Sequence, residues 1–160
     1  MRAWLLLGLA VPCLAFADFT GQVVKVQDGD TLTVLFHQKQ VKIRLESIDA
    51  PESKQAFGKR SQQSLAQLCA GKEATVHDTG KDRYGRTLGW VTCDGLDASS
   101  EQVRRGMAWV FVKYAAPNSP LFVFEATAKS KHLGLWVDPY AVPPWDWRAK
   151  QRMTRTRVRY

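Results

Sequence analysis

The sequence predicts a small α+β barrel, and three observations predict it. Five runs rich in β-branched and aromatic residues read as strands. A helical pattern separates the third run from the fourth, and further helical patterns follow the fifth. At 160 residues the chain has room for one domain with a hydrophobic core, and not comfortably for two.

The first two strands are Phe19 to Val26 and Thr31 to Phe36, split by the turn signal Asp28-Gly29. Leu32, Val34 and Phe36 share one face of the second. The polar turn His37-Gln38-Lys39-Gln40 leads to a third strand, where Val41, Ile43 and Leu45 face one way and Lys42, Arg44 and Glu46 the other. Pro51 ends this meander. Ser53 to Ala70 reads as a helix with Ser61, Leu65, Leu68 and Cys69 near one face, stopped by Gly71. Ala74 to His77 suggests a fourth strand and Thr87 to Cys93 a fifth, with Asp94-Gly95 as a turn. Asp97 is suited to N-cap a short helix carrying Val103 and Met107. Ser119-Pro120 reads as an N-cap with proline at the first helical position, for a helix running to about His132. Periodicity does not fix strand order; the OB-fold, a five-stranded partly open barrel, is one compatible arrangement.

The N-terminus narrows the compartment. Arg2 precedes the apolar run Ala3 to Val11, which is too short for a stable membrane anchor, and Ala15-Phe16-Ala17 matches a small-x-small cleavage pattern. Residues 1–17 are therefore expected to be a signal peptide, with export to the periplasm or the medium. No later segment is long and apolar enough to span a membrane, so no stable insertion is expected after cleavage. Losing Arg2 takes the formal charge from +8 to +7, so the mature chain stays basic and suited to polyanions. Cys13 leaves with the leader. Cys69 and Cys93 remain, an even pair in an oxidising compartment, which favours a disulfide over two buried thiols. The domain is expected to cover 18–145. From 146 to 160 the sequence turns arginine-rich, with Arg148, Arg152, Arg155, Arg157 and Arg159, and reads as a mobile basic tail. A monomer is the default expectation.

Three segments concentrate charge beside the strands: Asp28-Gly29-Asp30-Thr31; Arg44 through Glu52; and Asp82-Arg83-Tyr84-Gly85-Arg86. Carboxylates at strand ends beside arginine suit a divalent cation plus a phosphate. Taken singly, each has a plain structural reading: a hairpin turn, helix caps at Asp49 and Glu52, a surface arginine. All three together in a basic, exported chain weaken that reading.

In this order and with these residues, the three segments resemble the staphylococcal (micrococcal) nuclease family, or thermonucleases. Val103-Arg104-Arg105-Gly106-Met107-Ala108-Trp109-Val110 looks like that family's second helix and the turn after it. The match runs from about Phe19 to Trp136. The resemblance implies an OB-fold barrel with three helices and a calcium-dependent endonuclease acting on DNA and RNA, leaving 3′-phosphate ends. By position, Asp30 and Asp49 match the calcium-binding carboxylates and Ala50 the residue whose carbonyl completes the protein ligands. Glu52 matches the proposed general base, and Arg44 and Arg86 the two arginines on the scissile phosphate. Tyr84, Tyr114 and Arg83 are expected contacts to the substrate. Asp28 is expected as a charge behind the ligands.

Two alternatives stand beside this reading. Glu52-Ser53-Lys54 fits the E-x-K of a magnesium-dependent nuclease, although that motif normally lies along a strand and here follows Pro51. A non-catalytic OB-fold that only binds nucleic acid would have lost its site residues, yet Asp30, Arg44, Asp49, Glu52 and Arg86 are all present. His37, His77 and His132 are too scattered for a zinc site.

Overall fold

The computed structural model describes residues 18–157, so the expected leader at 1–17 lies outside the described residues. Five strands make the barrel: β1 (Phe19–Val26), β2 (Thr31–Phe36), β3 (Lys39–Leu45), β5 (Glu73–Lys81) and β6 (Thr87–Cys93). β4 (Ile48–Asp49) lies between β3 and β5 in the chain. The sheet order is β3-β2-β1-β5-β6 with antiparallel neighbours, and a parallel pairing of β3 with β6 closes it. The first, second and fifth strands have the bounds that their composition predicts.

Alternation then fixes the inside. Val23, Leu32, Val34, Ile43, Leu45, Val76 and Val91 are all at most 1% exposed and form one core. Each such burial contributes roughly 1.5–3 kcal/mol. Two-residue turns set the register. His37 and Gln38 both take positive φ, as do Asp94 and Gly95, the backbone that matches the twist of a tight hairpin. The second of these turns leads into β7 (Leu96–Asp97), which pairs back on β6.

Helix α1 (Gly58–Cys69) covers one barrel end with Leu65 and Leu68. It starts later than the expected Ser53. Phe57, its N-cap, sits in the left-handed region, which a helix cannot continue through, and Gly58 packs so closely on the Glu52 carbonyl that a Cβ there would lie 2.0 Å from its oxygen. Helix α2 (Ala98–Arg104) begins as expected at Asp97, whose side chain accepts from the Ser100 N–H at 2.7 Å. β8 (Trp109–Val110) then pairs with β4. Helix α3 (Leu121–Ser130) follows Ser119-Pro120; the Leu121 N–H donates to the Ser119 hydroxyl. A 3-10 turn spans Gly134–Val137.

Two expectations are corrected at the C-terminus. There are four α-helices among the described residues and not three, because α4 spans Pro144–Arg157. Residues 146–157 of the stretch expected as a tail are thus helical, and the expected boundary at 145 falls inside the helix. The cause is local. Pro144 occupies the first helical turn, Asp146 favours that end electrostatically, and Arg, Lys, Gln and Met are good helix formers. Trp145 stacks on Phe111 with centroids 5.5 Å apart, which docks the helix start on the domain. Among the described residues, no helix is long and apolar enough to cross a membrane.

Cys69 and Cys93 form a disulfide, with Cα atoms 5.4 Å apart, tying the end of α1 to the end of β6. A cross-link over 24 residues stabilises by about 3–4 kcal/mol in the chain-entropy model. Converting both cysteines to alanine is therefore expected to lower the melting temperature by roughly 10 °C. Calorimetry of the double variant checks this, and an unchanged transition would remove the bridge as a stabilising element.

Candidate functional site

The barrel's closure assembles the site. β2 pairs with β3 so that Thr31 lies opposite Arg44, and β3 pairs with β6 so that Arg44 neighbours Leu88. The residues flanking these pairs, Asp30 and Arg86, are thereby brought to one end of the barrel. After β3 the chain reverses at Ser47, which takes φ 63°, and returns as β4, bringing Asp49 to the same place.

The Asp28-Gly29-Asp30 loop is more than a hairpin turn. A Cβ at Gly29 would stand 1.7 Å from the Ser61 hydroxyl, so glycine is required here for close packing on α1. Buried Gln102 secures the same point, donating to the Gly29 carbonyl at 2.7 Å and the Ser61 carbonyl at 3.1 Å. Asp30 is then aimed inward. Its Oδ2 accepts from the Ala50 N–H at 2.7 Å, and its Oδ1 from the Thr31 hydroxyl at 3.0 Å. The Asp28 carboxylate accepts the Asp30 N–H at 3.0 Å. Burial first, and then the nearby Asp30 charge, push the Asp28 carboxyl up to about 7.

Arg44 joins the two buried acids. Its guanidinium lies 3.3 Å from Asp30 Oδ2 and 3.0 Å from Asp49 Oδ1, and donates to the Leu45 and Ile48 carbonyls. Three hydrogen bonds and the ion pair to Asp30 fix its position, leaving the side chain 13% exposed. Burial still raises the Asp49 carboxyl above its ordinary range, against the opposing bonds from Arg148 and Arg44. Among the described residues no cluster of three His, Cys, Asp or Glu stands ready to hold a metal ion. The donor set fits a hard cation in another way: two converging carboxylate residues on oxygen-only chemistry, with carbonyl and water left to complete the shell.

Arg86 reaches the site from a separate arm. Asp82 binds its Nε and its terminal nitrogen at 2.7 Å, and its other terminal nitrogen touches the Thr31 hydroxyl at 3.5 Å. Thr31 thus links Arg86 to Asp30. Arg83 and Arg86 both lie over the ring of Tyr84, which is 69% exposed, and Lys42, Tyr84, Gly85 and Arg86 line an open groove of about 360 Å³. Tyr114 is exposed too, and packs edge-on against Phe111, with the Lys113 ammonium over its ring.

Glu52 joins through a residue the motifs did not single out. Arg148 of α4 donates to Glu52 Oε1 at 2.7 Å and to Asp49 Oδ2 at 2.7 Å. Burial opposes its charge, yet the bonds to Asp49 and Glu52 hold its pKa above the ordinary arginine value. The only sequence signal for it is Pro143-Pro144-Trp145-Asp146-Trp147, a helix start with aromatic anchors inside a basic stretch.

The Asp82 clamp gives a prediction. Burial works to raise the Asp82 carboxyl, but bonds from the Arg86 side chain and from the Arg86 and Tyr84 N–H groups together hold it below its ordinary 3.8. Its stabilisation is therefore full above that value and lost as pH falls through the lower folded value. Asp82→Asn is expected to lower the denaturant midpoint at neutral pH and to converge with the parent protein in strong acid. A gap that persists in strong acid would mean that the carboxylate charge is not what holds the arm.

With this geometry in place, comparison with known proteins gives a consistent result. Residues 42–138 match the family model of staphylococcal nuclease homologues. The chain is 42% identical over 150 residues to a micrococcal nuclease of Shigella flexneri, covering 88% of this chain and 86% of that protein. It is 45% identical over 136 residues to an uncharacterized endonuclease of Escherichia coli O157:H7, covering 84% and 88%. It is 39% identical over 157 residues to the protein ParB of Escherichia coli, covering 92% and 89%. The chain belongs to the staphylococcal nuclease homologue family.

Proposed function

We propose that the protein is an exported, calcium-dependent endonuclease that hydrolyses DNA and RNA with low sequence specificity, leaving 3′-phosphate ends. One observation carries the reading: Asp30, Asp49, Arg44 and Arg86 converge at one barrel end, linked through Thr31. The names of two relatives, a micrococcal nuclease and an uncharacterized endonuclease, support it. Export is supported by the Cys69–Cys93 disulfide, which suits an oxidising compartment.

Asp30, Asp49 and the Ala50 carbonyl would hold the calcium ion, which supplies charge stabilisation to a phosphate oxygen. The protein's own groups do the rest. Arg44 is pre-positioned by its acceptors, so little reorganisation is needed when negative charge grows on the phosphate. Arg86 presents a second guanidinium from the Asp82 arm. Each stays protonated at any working pH and offers a planar fork that lysine lacks. Glu52, part-exposed at the rim, takes a proton from a water as its oxygen bonds to phosphorus. The bond from phosphorus to the 5′ oxygen breaks, and that oxygen takes a proton from solvent. Tyr84 stands ready to stack on a base, which favours single-stranded or frayed sites. Arginine and lysine contacts to phosphate carry no sequence information. The basic residues of α4 add salt-sensitive affinity for the polyanion. The working form is a monomer.

The test is digestion of plasmid DNA and of RNA with calcium, with magnesium and with a chelator. Cutting is expected with calcium alone, and Arg44→Ala is expected to lose on the order of 10²-fold or more in turnover. Binding without cutting would favour a non-catalytic module, and cutting with magnesium alone would favour the E-x-K chemistry. Glu52→Gln is expected to keep the melting temperature and lose most activity. Parent-level turnover in that variant would remove Glu52 as the base.

A further inference from the structure

Asp49 has no free carboxylate oxygen. Arg44 takes Oδ1 at 3.0 Å, and Arg148 takes Oδ2 at 2.7 Å with a second contact to Oδ1 at 3.3 Å. Arg148 also takes Glu52 Oε1 at 2.7 Å. A single guanidinium from the C-terminal helix therefore sits on a proposed cation ligand and on the proposed base together.

The two arginines are held differently. Arg44 donates to two backbone carbonyls and is 13% exposed, so it stays whatever happens to the acids. Arg148 is 37% exposed, and among the described residues its guanidinium bonds only to carboxylates. The helix that carries it is anchored without it. Trp145 stacks on Phe111, Pro144 is buried, and the Gln55 side chain donates to the Val142 carbonyl at 2.5 Å. Arg148 can thus leave the carboxylates by a side-chain rotation while α4 remains docked. A guanidinium and a divalent cation compete for the same oxygens, and of the two arginines Arg148 is the one free to yield.

We propose that Arg148 is a built-in competitor for the divalent cation: its guanidinium occupies Asp49 and Glu52 and must leave them for the cation to bind. Displacement by the cation also frees the Glu52 oxygen, so cation loading and release of the base are one event. The affinity for the cation is then set in part by α4, outside the barrel. This rests on the reading of Asp30 and Asp49 as the cation site.

The test is isothermal titration of calcium chloride into the chelator-treated mature protein, without substrate, comparing the parent with Arg148→Gln, Trp145→Ala and Asp49→Asn. A part-exposed pair removed from the site predicts roughly three- to tenfold tighter calcium binding in Arg148→Gln. Trp145→Ala keeps the arginine but loosens its anchor, and a shift in the same direction is expected. Circular dichroism establishes folding; if Arg148→Gln does not fold, Trp145→Ala alone decides. Calcium binding lost in Asp49→Asn but equal or weaker in the folded Arg148→Gln overturns the competitor while leaving the cation site intact. No calcium binding in the parent or in Arg148→Gln overturns the cation site, and the competitor with it.

Discussion

The Arg44 guanidinium is the interaction on which the rest of the site depends. Asp30 and Asp49 are 6% and 2% exposed, and both contact the one Arg44 guanidinium, whose charge compensates two carboxylates taken out of water. Arg44 supplies it from β3, the strand that both meanders with β2 and closes the barrel on β6. Barrel closure and charge compensation are therefore one structural event: the strand that ends the sheet carries the charge that makes its acidic end tolerable.

The surrounding electrostatics follow from that arrangement. Burial pushes Asp28 and Asp49 upward, so the cluster is held against its own tendency to take up protons. Removing one partner of such a group leaves an uncompensated charge, which costs more than the pair itself contributes. Arginine recurs at every point for this reason. Arg44 is locked by carbonyls, Arg86 is held by an acid of its own arm, and Arg148 arrives from a helix beyond the barrel. The three differ in how firmly they are held, and so in which can change partner.

Much of the barrel was legible because its strands are strongly patterned. β1, β2 and β6 are rich in β-branched and aromatic residues and fall at their expected bounds, and β6 alternates between buried and part-buried along its whole length. β5 runs on to Lys81, past the expected His77, through Asp78, Thr79 and Gly80, where a bulge breaks the pairing and no apolar alternation marks a strand. β4, β7 and β8 have two residues each, too short for any periodicity. The late start of α1 goes with the left-handed backbone of Phe57, invisible in composition. The charge-rich segments named Asp30, Arg44, Asp49, Glu52 and Arg86 because few other patterns put acids and arginines beside strand ends.

The sequence by itself determined the barrel's strands, the Asp97 cap and the identity of the clustered charges, since these follow from local periodicity, turn chemistry and short motifs. Tertiary structure alone decided which charges meet. Asp49 and Arg148 lie 99 residues apart, and nothing local marks an arginine in a basic helix as different from its neighbours. Their meeting depends on how Trp145 stacks on Phe111 and how β8 pairs with β4. Those are contacts between distant surfaces, whose geometry exists only once the chain has folded.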